Sequence, residues 1–179
     1  MSLSKAPEAQ ESKAVTARGL KVAICSLITE IGTLEQEFKG VKKKLKKLYF
    51  EFTLSNGEKV GKIFTYSFHE QSTLLKTLTA WTGSKDFNRD LTVYLGSLVV
   101  LNLVENVVND KSYVNIETFI NFHSSEMKEP NFEDVKSYIF DYDDATTYEN
   151  LIHVPQYIFN KMELTPEYQK YLDNHNLKP

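Results

Sequence analysis

Cysteine is nearly absent from this chain of 179 residues, with Cys25 the only one. A single thiol excludes an intrachain disulfide and any zinc site built on cysteines, and it fits a reducing compartment. Lying in an apolar run, Cys25 reads as a small buried residue. No stretch approaches the ~18 apolar residues of a membrane span, so no membrane partner is expected. Gly and Pro are also scarce, at 7 and 5, whereas Phe and Tyr number 11 and 10. That balance points to a β-rich fold rather than to disorder. The opening stretch from Met1 to Glu11 lacks the apolar centre of a signal peptide, and residues 1–14 read as a disordered leader.

Catalytic and cofactor signatures are missing as well. His69, His123, His153 and His175 stand apart, without the spacing that ligates a metal. Asp141, Asp143 and Asp144 lack the Gly turn and distal Glu of a calcium loop. Gly57 and Gly61 serve a hairpin rather than a phosphate-binding loop, and no nucleophile motif surrounds a serine. The chain therefore reads as a non-enzyme with no cofactor and no metal.

What the chain does contain is concentrated positive charge. Lys39, Lys42, Lys43, Lys44, Lys46 and Lys47 follow one another without an intervening acid, although the whole protein carries -3. Residues 1–123 hold 16 Lys and Arg against 13 Asp and Glu, while residues 124–179 hold 5 against 11. A basic-leaning body thus precedes an acidic tail, as in many nucleic-acid binders.

Periodicity supplies the order of elements. Arg18 to Glu30 is rich in Val, Ile, Leu and Thr and predicts a first strand, and Gly32 and Gly40 bracket a connection through Phe38. Lys44 to Leu54 alternates cleanly, with Leu48, Phe50, Phe52 and Leu54 on one face and Lys47, Tyr49, Glu51 and Thr53 on the other. Asn56-Gly57 is a hairpin signal leading into a strand from Lys59 to Phe68, where Phe64, Tyr66 and Phe68 share the interior face. Ser72 caps a helix with Leu74, Leu75, Leu78 and Trp81 at helical spacing, and Gly83 ends it. Strands over Leu98–Val104 and Tyr113–Phe122 follow, joined by a turn from Asn106 to Lys111. The order β-β-β-α-β-β predicts a mainly β protein with an OB-fold-like five-stranded Greek-key barrel over residues 15–123. Residues 124–179 form an acidic, partly helical C-terminal extension, with a linker at Glu126–Pro130 and helical patterns at Val154–Leu164 and from Thr165 onward.

OB-folds bind oligonucleotides on strands 2–3 and on the loops joining strands 1–2 and 4–5. The lysine cluster falls in the first of those loops and enters strand 2. Lys39, Lys42, Lys43, Lys44, Lys46 and Lys47, joined by Arg18, are the expected phosphate contacts, while Phe38, Tyr49 and Tyr113 are the expected base-stacking rings. Trp81 reads as core.

Glu37-Phe38-Lys39-Gly40 with Lys42-Lys43-Lys44, the run Tyr66 to Leu74, Tyr113-Val114-Asn115-Ile116, Phe140-Asp141 with Asp143, Val154 to Ile158, and Pro166-Glu167-Tyr168 follow one another along the chain. These short motifs, in this order, resemble a family of small bacteriophage proteins regarded as OB-fold single-stranded-DNA-binding or replication-associated. The likeness covers roughly residues 15–172. It implies sequence-tolerant single-stranded DNA binding in phage replication or recombination, in the cytoplasm of the bacterial host. RNA stays open as a partner, as does a homo-oligomer. The other reading is an OB-like structural or adaptor module whose acidic tail meets other proteins. The tail, rich in acids and rings, could compete with DNA for the basic face, reach a replication or recombination partner, or simply extend the core.

Overall fold

β1, Gly19–Phe38, is the spine of the protein, a strand of 20 residues. The computed structural model describes residues 14–176; the expected leader lies outside the described residues except for Ala14. β1 pairs antiparallel with β2, Val41–Leu54, from Ala23 opposite Leu54 to Phe38 opposite Val41. On its other edge it pairs antiparallel with β4, Leu98–Val108, but only through Gly19 to Ile24. Beyond that point a short parallel strand, β6, Tyr138–Phe140, takes the vacated edge at Leu27 to Thr29. β3, Lys59–Thr65, and β5, Lys111–Ile120, complete the sheet in the order β3-β2-β1-β4-β5.

The expected β-β-β-α-β-β order is present. α1, Thr73–Thr82, is capped by the Ser72 side chain on Leu75 N and closed by Gly83 with φ 71°. The closed barrel is not: among the described residues β3 and β5 share no ladder, and the sheet is open. The two strands still face one another across the core, where Lys62 Nζ donates to Ile116 O at 3.3 Å and the rings of Phe64 and Phe119 lie 6.2 Å apart. The main core collects Leu48, Phe50, Phe52 and Leu54 with Phe64, Trp81 and Phe119. Trp81 donates its indole N–H to Leu98 O at 2.9 Å. Cys25 is fully buried here, and burial pushes its thiol well above the ordinary range.

Two expected boundaries shift for one physical reason. The connection expected around Phe38 is strand instead: β1 and β2 continue as a two-stranded ribbon and reverse only at Lys39 and Gly40, both with positive φ (48° and 77°). β4 and β5 likewise extend to a reversal at Asn109 and Asp110, with φ 51° and 61°. Such turns match strand twist and need no longer loop. Conversely, β3 stops at Thr65, so Tyr66 and Phe68 leave the sheet and sit half-buried beside the core rather than inside it.

The C-terminal extension builds a second core on the opposite side of β1 and β2. α2, Gln156–Met162, and α3, Pro166–Asn174, place Ile158, Phe159, Met162, Tyr168 and Tyr171 against Leu27, Ile31 and Tyr49. Gly32 makes this docking possible. Its φ is 108°, and a Cβ there would meet Glu167 Oε2 and Thr165 at 2.8 Å. Glu167 accepts from Thr33 N at 2.9 Å and from its hydroxyl at 2.5 Å.

Candidate nucleic-acid interface

The lysine cluster rides on the distal half of the β1–β2 ribbon, and its neighbours come from β1. Lys42, Lys43 and Lys44 stand opposite Glu37, Gln36 and Glu35. The acids that the local sequence lacks are therefore supplied across the strand. Residues 34–47 carry six lysines and two glutamates, a charge of +4. Lys42 Nζ approaches Glu35 at 3.3 Å with both side chains largely exposed, a pair worth little in water and easily exchanged for a phosphate. Lys39, Lys43 and Lys44 have no ion-pair partner among the described residues.

Lys46 and Lys47 differ from these. Lys46 binds Glu30 at 2.7 Å, and Glu30 is nearly buried. Burial lowers the Lys46 ammonium, but the hydrogen bond and charge of Glu30 outweigh it and the net shift is upward. Burial holds the Glu30 carboxyl above its usual range despite Lys46, and Asp141 adds to that rise. Lys47 donates to Gln36 Oε1 at 2.9 Å and to Thr65 Oγ1 at 2.8 Å, with its ammonium lowered by burial. These two lysines anchor the root of the ribbon, leaving Lys39, Lys42, Lys43 and Lys44 to meet an anion.

The expected stacking rings separate. Phe38 stands at the ribbon tip, 66% exposed, with Lys39 Nζ 5.4 Å from its ring centre. Tyr49 is only 2% exposed and offers no face to a base. It lies under the extension, donating its hydroxyl to Glu51 at 3.1 Å and accepting from Tyr157 at 2.7 Å. The face that alternation turned away from the main core is thus closed by a second one, which a single strand's pattern does not reveal.

Tyr113 is 52% exposed, but on the β4–β5 tip. Arg18 belongs with that tip, 3.6 Å from Glu105. Because β4 is antiparallel to the start of β1, the two tips leave from opposite ends of a strand 20 residues long. The structure therefore does not bring Arg18 and Tyr113 to the lysines.

Sequence reasoning missed a second group of rings, which begins at the root of the ribbon. As the chain leaves β3, Tyr66 N donates to Lys46 O at 2.8 Å. Lys46 Nζ sits 5.2 Å from the Tyr66 ring centre and the Arg89 guanidinium 5.6 Å from that of Phe68. Phe68 in turn stacks on Phe87 at 5.4 Å and 17°. The signal was present in the triplet Tyr66, Ser67, Phe68, but alternation assigned both rings to the interior.

A cleft of about 310 Å³ opens between the sheet and the extension, lined by Ser26, Glu51, Thr53, Lys59, Lys136 and His153. Burial raises the Glu51 carboxyl, opposed by Lys59 at 3.6 Å and by the Tyr49 hydroxyl. Two of the tail acids accept local hydrogen bonds: Asp144 from Thr146 N at 3.0 Å, and Asp141 from Asp143 N at 2.8 Å. No helix among the described residues is long and apolar enough to cross a membrane. No family model and no curated protein matches this chain.

Proposed function

We propose that this protein binds single-stranded nucleic acid with little sequence preference, as a non-enzymatic OB-like module in phage DNA replication or recombination within the bacterial host. The observation that carries the reading is the β1–β2 ribbon. It projects a charge of +4, with Lys39, Lys43 and Lys44 unpaired among the described residues and Phe38 exposed at its tip. Closely spaced lysines replace the counterions of a phosphate chain, and a flexible single strand can follow a narrow ribbon. The strand order and the helix between β3 and β4 support the OB-like architecture. The phage assignment rests on the resemblance of its motif order.

A second reading, an adaptor working through protein contacts, draws support from the other tip, where Val107, Val108 and Tyr113 are all more than half exposed. Anisotropy titration of a labelled oligothymidine at low and high salt separates the two. Binding that weakens steeply with salt supports the nucleic-acid reading. Absence of binding at low salt, with self-association in sedimentation, supports the adaptor.

A further inference from the structure

We propose that Tyr66, Phe68 and Phe87, with Arg89, form a base-stacking platform that continues the lysine ribbon; this rests on the nucleic-acid reading above. The lysine strand and the rings are contiguous. Lys47 is the last β2 residue still paired with β3, opposite Thr65, and one residue later Tyr66 is hydrogen-bonded to Lys46. The chain then presents Tyr66 and Phe68 with ring centres 5.7 Å apart, and Phe87 stacked behind Phe68. All three residues are half-buried, packed against the main core while part of each stays open to solvent.

Two cations rest against these rings, Lys46 on Tyr66 and Arg89 on Phe68. A cation on an exposed ring face marks a position that a planar base can occupy, since both are attracted to the π surface. The displaced guanidinium keeps its charge and turns to the phosphate on either side of the seated base. Asp90, its acidic neighbour, accepts from Thr92 N and Oγ1 through Oδ1. A strand lying along Lys44, Lys43 and Lys42 therefore delivers its bases to this platform, where the buried Tyr49 leaves none.

The test compares an oligothymidine with an abasic oligomer of equal phosphate number. Stacking predicts that the oligothymidine binds about 5- to 150-fold tighter. Tyr66→Leu and Phe68→Leu keep an apolar side chain against the core; with melting temperatures matched to wild type, each should bring that ratio toward one and leave the salt dependence intact. Equal binding of both oligomers by the wild type overturns the platform while leaving the ribbon reading standing. Failure to bind either oligomer overturns both. Photocrosslinking of a 5-iodouracil oligomer to the wild-type protein provides a readout that does not depend on the variants' folding. Adducts on Tyr66, Phe68 or Phe87 support the platform, and adducts confined to Tyr113 or Tyr157 overturn it.

Discussion

Truncation after Ser124 removes β6, α2 and α3 and uncovers one face of β1 and β2. Leu27, Ile31 and Tyr49 are 1%, 0% and 2% exposed in the full chain, and the extension supplies most of their cover. Returning a large apolar side chain to water costs about 1.5–3 kcal/mol. Three of them lose about 5–9 kcal/mol, comparable to the whole stability of a domain, about 5–15 kcal/mol. The Tyr49 hydroxyl, which donates to the buried Glu51, also loses its own donor, Tyr157. The expected result is an insoluble fragment, or one whose thermal or urea midpoint collapses. A finer perturbation keeps the tail: Ile158→Ala, at a fully buried site, should cost about 2–5 kcal/mol in urea unfolding. A truncated protein that melts within a few degrees of the full chain would refute the argument. The extension would then be a removable cover, and tighter oligonucleotide binding by the fragment would identify it as a competitor for the ribbon.

Replacing Lys43 and Lys44 together with Gln should lower the slope of log affinity against log salt by about 1.4, ~0.7 per lost contact, with no change in melting temperature. Lys46→Gln should do the reverse, lowering stability because Glu30 loses its 2.7 Å partner while the slope is nearly kept; equal slopes in both variants would place the interface elsewhere. Gly61→Ala would set a Cβ 2.1 Å from the Tyr49 hydroxyl, so a loss of about 1–3 kcal/mol or more is expected, visible by chemical denaturation. Glu51 deprotonates in the unfolded chain near its ordinary 4.5 but holds its proton to higher pH when folded. Its contribution is therefore complete below 4.5 and is lost as pH rises through the raised folded value, and Glu51→Gln should flatten stability against pH in that window. A wild-type-like profile in this variant would assign the pH dependence to Glu30 instead.

Much of this protein was legible from local pattern because its causes are local. The alternation Leu48, Phe50, Phe52, Leu54 marked the main-core face, Ser72 and Gly83 bounded α1, and Thr165 capped α3. Each depends on a strand or helix period, or on a hydrogen bond reaching three residues away. The ribbon tips escaped because a two-stranded arm in water buries neither face, so Glu35 to Lys44 shows no apolar alternation; only a partner strand in register makes it β. The same register supplied the acids opposite Lys42 and Lys44.

From sequence alone came a basic stretch opening an aromatic strand, a β-β-β-α-β-β order and an acidic tail with helical ends. Tertiary structure decided which of those residues can meet a partner. Tyr49 was closed off because residues more than 100 positions later build a core on its face, with Tyr157 on its hydroxyl. Tyr66 and Phe68 were left half-open because β3 ends at Thr65. Exposure is set by what the rest of the chain packs against a side chain, and one strand's alternation does not carry that information.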